Sequence, residues 1–143
     1  MSHGAPCTPT KKVGGLFYFA RMLDKIRSHG RGELPPVYHE NLGKGFDLKC
    51  TDFLGIDYNE LVQRVKQGGT DDEILAWCFE KGHRPTDEQI YVWNEFMRKR
   101  AWNDEATETL IRRKKESGFS EREEIQTMFQ YIDADEGRPV SDQ

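Results

Sequence analysis

The stretch Gly68-Gly69-Thr70-Asp71-Asp72-Glu73-Ile74-Leu75 contains the stop of one helix and the start of the next. Its two glycines supply the left-handed backbone on which helices end. Thr70 and Glu73 then form a capping box, in which a short polar side chain and an acid three residues later satisfy each other's exposed N–H groups. Ile74, Leu75, Trp77, Cys78 and Phe79 follow before Gly82, so the stretch predicts a short helix with an apolar side.

The same punctuation repeats outward in both directions. Upstream, Asp57-Tyr58-Asn59-Glu60 opens a helix whose stripe is Tyr58, Leu61, Val62 and Val65. Downstream, Thr86 and Gln89 open a longer one with Ile90, Trp93, Phe96, Met97 and Ala101 at core spacing. Asn103 or Asp104 is expected to cap a more polar helix carrying Ala106, Leu110 and Ile111 towards Gly118. Ser120 with Glu123 is expected to begin the last helix, with Ile125, Met128, Phe129 and Ile132 on one face. Near the start, Leu16, Phe19, Ala20, Met22, Leu23 and Ile26 share a broad face at about 100° per residue, and Gly30 closes it. Residues 31–46, with Pro35-Pro36, Gly43 and Gly45, read as a loop, after which Asp47 is placed as the cap of a short turn, Leu48 to Leu54.

No segment alternates with period two. The expectation is an all-α fold, a compact single-domain bundle of six or seven short helices with one longer Pro/Gly loop at about 31–46. Residues 1–12 are expected to form a flexible head, 13–137 a single helical domain, and 138–143 a frayed tail.

Composition sets further limits. The 143 residues fit one domain, and although 32% are charged, three Trp, five Tyr and eight Phe supply enough apolar surface for a core. No run approaches the ~20 apolar residues that cross a bilayer, and the Met1-Ser2-His3-Gly4 start lacks a secretory pattern, so a soluble, cytoplasmic protein without membrane contact is expected. Cys7, Cys50 and Cys78 are odd in number and widely spaced, which argues for free thiols over disulfides or a metal pair. His3, His29, His39 and His83 lack ligand spacing, and Asp133-Ala134-Asp135-Glu136-Gly137-Arg138 puts its glycine at the wrong place for a calcium loop. No metal is assigned. No nucleotide-loop or hydrolase motif occurs either, so no cofactor is predicted.

Several ordered segments carry a likeness. Gly14-Gly15-Leu16, Ala20-Arg21-Met22-Leu23-Asp24-Lys25, Phe53-Leu54-Gly55-Ile56-Asp57, Asp72-Glu73-Ile74-Leu75-Ala76-Trp77 and Ile132-Asp133-Ala134-Asp135-Glu136-Gly137-Arg138 together resemble a family of small bacterial proteins known as domain of unknown function 5069. The resemblance spans nearly the whole chain, and it carries over no activity, cofactor or catalytic residue. Gly45-Phe46-Asp47-Leu48 departs from the family's Cys-Pro-Leu-Asp pattern, so a cysteine-based role is not assigned there.

The candidate chemistry lies where charge is uneven. Residues 1–56 hold 8 Lys/Arg against 5 Asp/Glu, and residues 57–143 hold 13 against 20. This asymmetry suggests internal complementarity or a site for an anion more than general nucleic-acid binding, so no nucleic-acid partner is expected on charge grounds. Arg21, Asp24 and Lys25 share a polar strip on the first helix, where Asp24 is placed to bridge Arg21 and Arg27. The strip is either a set of ion pairs or, with Tyr18 or Tyr38 as a hydrogen-bonding wall and His39 from the loop, a ligand site for a phosphate or carboxylate. Asp133, Asp135, Glu136 and Arg138 are candidate tail contacts, with Asp135 and Glu136 expected to meet Arg21 or Lys25.

Three functions follow. The first is a small helical binding protein for a small anionic ligand or a protein partner. The second is an enzyme on an anionic metabolite, with Arg21 and Lys25 holding substrate while Asp24, Tyr38 or His39 moves a proton. The third is RNA binding through Arg98-Lys99-Arg100 and Arg112-Arg113-Lys114-Lys115 around Trp102.

Overall fold

Seven α-helices and one 3-10 helix make up the computed structural model, which describes residues 4–140. They are α1 (Phe19–Gly30), the 3-10 helix (Pro36–Asn41), α2 (Phe46–Leu54), α3 (Tyr58–Lys66), α4 (Asp71–Lys81), α5 (Asp87–Lys99), α6 (Thr107–Glu116) and α7 (Met128–Asp135). Among the described residues the only strand-like pairing is an isolated bridge between Val13 and Leu16.

Local chemistry sets most of the starts. Thr70 and Glu73 form the expected reciprocal cap at α4, Thr86 and Gln89 do the same at α5, and Asp57 accepts from the Glu60 N–H at α3. α2 ends on Gly55 in the left-handed conformation, φ 73°. The end of α4 then packs directly on it: His83 donates to the Leu54 carbonyl at 3.0 Å, and a Cβ on Gly82 would lie 1.9 Å from that same oxygen.

α1 forms the centre of the core. Phe19, Met22 and Leu23 are fully buried with Leu54, Leu61, Ile74, Met97 and Phe129 around them, and the expected core residues Cys78 and Trp93 are buried as well. A second cluster joins Leu110, Ile125, Met128 and Tyr131, and Phe46 and Ile132 pack against both clusters. Each buried aliphatic or aromatic side chain stabilises the fold by roughly 1.5–3 kcal/mol over leaving it in water.

Four expectations are corrected. The last helix begins at Met128, capped by Thr127 and Gln130, because the Met128 N–H is drawn to the Arg100 carbonyl at 2.9 Å while residues 119–127 form turns. α1 begins at Phe19, with Tyr18 at φ 78° as its N-cap residue, and Arg21 and Lys25 are buried beside the apolar face. The head is bonded into the domain from residue 6 onward, through Pro6, Cys7 and Thr8. Residues 1–3 and 141–143, including the rest of the expected head and tail, lie outside the described residues. Finally, Phe96 turns to solvent although its spacing matched the core.

Candidate functional site

The charged strip of α1 resolves into two buried networks. In the first, the Arg21 guanidinium forks onto Glu136, donating at 2.8 Å to Oε1 and 2.6 Å to Oε2. Tyr38 OH donates to Glu136 Oε2 at 2.7 Å, and Arg138 Nη1 donates to Oε1 at 2.7 Å and to Asp133 Oδ1 at 3.0 Å. The chain's first segment closes over it: Arg21 reaches the Cys7 carbonyl at 3.0 Å, Thr8 Oγ1 donates to Asp133 at 2.8 Å, and Arg138 reaches the Pro6 carbonyl.

In the second network, Asp47 Oδ1 accepts from Tyr18 OH at 2.6 Å and from Lys25 Nζ at 2.8 Å, and Oδ2 accepts from the Gly43 N–H at 3.0 Å. Lys25 also donates to Tyr18 OH at 3.2 Å. Asp47 is fully buried within the first turn of α2, so its role is a counter-ion and not the expected cap. The cap residue of α2 is Gly45.

Electrostatics follow from these contacts. Burial pushes the Glu136 carboxyl up, but the Arg21 fork, with Tyr38 and Arg138, outweighs it and holds the group below the usual carboxylate value. Burial works against the Arg21 charge, yet the hydrogen bonds to Glu136 raise its pKa. Burial, then the bond to Glu136, pushes the Tyr38 phenol up. Glu136 thus stays ionised and Tyr38 protonated around neutrality, so neither exchanges a proton near pH 7. Lys25 is lowered by burial, with Asp47 opposing.

The fate of each expected residue is now plain. Arg21, Tyr38, Asp133, Glu136 and Arg138 come together, with Arg21 forked on Glu136 and Arg138 between Glu136 and Asp133. Asp135 is exposed. Asp24 bridges no arginines; its Oδ2 accepts from the Cys7 N–H at 2.9 Å, and Arg27 pairs with Asp71 at 2.5 Å. His39 is exposed, donates Nε2–H to the Leu34 carbonyl at 2.8 Å, and packs its ring 4.8 Å from that of His29. Tyr18 does lie beside this strip, donating to Asp47 and accepting from Lys25, whereas Asp47, expected only as a cap, was not anticipated as the partner of Lys25.

The basic helix ends are also engaged internally. Arg98 and Lys99 meet Glu95 at 2.7 and 3.1 Å, Arg100 meets Asp104 and Glu105 at 3.2 and 3.1 Å, and Lys114 donates to the Arg122 and Ile125 carbonyls, both at 2.9 Å.

A different surface stands open. Tyr91, Val92, Phe96 and Trp102 are 60%, 56%, 41% and 56% exposed and line a shallow groove of about 410 Å³ along the outer side of α5, with Glu95 and Lys99. The Lys49 ammonium and Arg100 guanidinium lie 5.6 and 5.4 Å from the Phe96 ring centre, fixing the ring without covering it. The signal in the sequence is that α5 is apolar on both sides: Ile90, Trp93 and Met97 face the core, and Tyr91, Val92 and Phe96 face outward.

Among the described residues no helix is long and apolar enough to cross a membrane, and no group of three or more His, Cys, Asp or Glu side chains is placed to hold a metal ion. Residues 3–138 match the model of a family described as a domain of unknown function, DUF5069. No curated protein matches the chain.

Proposed function

The chain belongs to this DUF5069 family, and from its geometry we propose that it is a small helical interaction protein whose docking surface is the outer side of α5. One observation carries the reading. A helix with apolar side chains on both sides is normally covered on both, and here its three outer apolar residues, with Trp102 just beyond the helix, are left 41–60% exposed around one groove. A contiguous apolar patch of a few hundred Å² on a small protein is often a functional contact surface.

The anion-ligand and enzyme readings of the first helix draw less support. Arg21 and Lys25 are buried and already matched to Glu136 and Asp47, so an incoming anion would have to displace a carboxylate from each. RNA contact is similarly weakened by the acids that neutralise the basic helix ends. The proposal includes a cytoplasmic location, supported by three cysteines that all remain free thiols.

The test is photo-cross-linking in living cells. With Val92 replaced by a benzophenone amino acid, a single discrete protein adduct is expected. It should vanish when Phe96→Glu is added, and the same probe at exposed Lys66 should yield none. No adduct at position 92, or equal labelling from position 66, overturns the reading.

A further inference from the structure

We infer that the occupant of the α5 face is a second copy of this chain, packed antiparallel about a two-fold axis at the middle of the helix. This rests on the docking surface proposed above and adds its partner.

The outward residues of α5 are Glu88, Tyr91, Val92, Glu95, Phe96 and Lys99. They are spaced evenly about the point between Trp93 and Asn94, Glu88 as far to one side as Lys99 to the other, Tyr91 as Phe96, and Val92 as Glu95. At about 100° per residue, Glu88 and Lys99 fall within about 10° of the centre line of the outer face, Val92 and Glu95 about 30° to either side, and Tyr91 and Phe96 about 70° out. A half turn about an axis level with that midpoint and perpendicular to the two helices therefore lays acid on base at both ends, Tyr91 beside Tyr91 on one flank and Phe96 beside Phe96 on the other. An isologous interface requires this self-match, in which residue i meets j and j meets i, whereas a foreign partner imposes no such symmetry.

Charge permits the approach. Glu95 would come near its own copy across the axis, but Arg98 and Lys99 already offset it at 2.7 and 3.1 Å. Lys99 stands half-exposed at the point where the other copy's Glu88 would arrive. Trp102, just beyond the helix, would lie over the start of the other copy's α5.

Size sets the strength. The four exposed apolar side chains offer on the order of 400 Å² per copy, or about 800 Å² for the pair, and the charged flanks bring the total to the lower end of the 1,200–2,000 Å² of specific interfaces. A micromolar dimer is expected, with fixed rings limiting the entropy lost on docking.

Sedimentation velocity from about 1 to 500 µM tests this. The 16.7 kDa chain should shift towards twice its mass across that range. Phe96→Glu should weaken the dimer at least tenfold, as should Glu88→Lys and Lys99→Glu singly, while the double charge swap restores it. All these positions are exposed, so unchanged far-UV circular dichroism is expected throughout. A chain monomeric at 500 µM, or a double swap that fails to restore assembly, overturns the second-copy inference. If the Val92 cross-link then identifies a different protein, the docking reading still stands. A dimer indifferent to Phe96→Glu, with the Val92 adduct also indifferent, removes both.

Discussion

Glu136→Gln keeps the shape of one side chain and withdraws its charge from the centre of the first network. The consequence follows from the contacts. Arg21 is 4% exposed and Glu136 2%, and the carboxylate accepts two bonds from Arg21 and one each from Tyr38 and Arg138. An amide has one acceptor oxygen and turns its N–H₂ towards donors, so a buried guanidinium loses its counter-ion. Breaking one partner of a buried pair costs about 3–5 kcal/mol, against a total stability of roughly 5–15 kcal/mol for a domain. At roughly 4 °C per kcal/mol for a chain of this size, Tm should fall by about 12–20 °C.

The companion variants sharpen the test. Arg21→Met should cost less than Glu136→Gln, because Glu136 keeps Arg138 and Tyr38. The pair Arg21→Met with Glu136→Leu should recover much of the loss, since apolar replacement of a buried pair is near neutral. The pH dependence has a fixed sign. Although burial opposes it, the Arg21 fork keeps the folded pKa of Glu136 below its ordinary 4.5. Its stabilisation is therefore complete above about pH 4.5 and is lost as pH falls through the folded value. Urea unfolding followed by tryptophan fluorescence at pH 7 and pH 3.5 reads all of this. A Glu136→Gln protein within about 1 kcal/mol of the parent, or a double-mutant cycle that is simply additive, would refute the reasoning.

Gly82→Ala should destabilise by about 1–3 kcal/mol in urea melts, because its Cβ meets the Leu54 carbonyl oxygen and backbone must move. Thr127→Ala should cost about 1 kcal/mol and Ser120→Ala almost nothing, which locates the start of α7 by equilibrium unfolding. Burial and then the charge of Asp24 push the Cys7 thiol up to about 11, so iodoacetamide should label it slowly at pH 8 and faster as pH rises towards 11, with Asp24→Asn raising the rate at pH 8.

What could be read from the chain divides by distance. The caps at Thr70/Glu73 and Thr86/Gln89 act across three residues, so local chemistry alone determines them. Ser120/Glu123 and Thr127/Gln130 both fit a cap pattern, and a contact between Met128 and Arg100 favours the second, which no local rule contains. The Arg21–Glu136 pairing was foreshadowed by the uneven charge of the two parts of the chain, and it spans 115 residues. Lys25–Asp47 was hidden because helical periodicity assigns Lys25 to the polar strip, and periodicity does not say that a loop and α2 will cover that strip. The same blindness applied to Phe96 in reverse: its spacing fits a stripe, while the core side of α5 is filled by Ile90, Trp93 and Met97.

The clamp on Arg21 also has a bearing on synthesis. Its acid lies 115 positions later, so during translation the guanidinium has no access to that counter-ion until residue 136 has been made. The apolar middle can gather earlier, but it cannot shut around α1 without stranding a cation. A polypeptide cut off before residue 136 lacks the counter-ion that Arg21 needs on burial, and by the cost worked out above it should hold its fold less firmly than the longer chain.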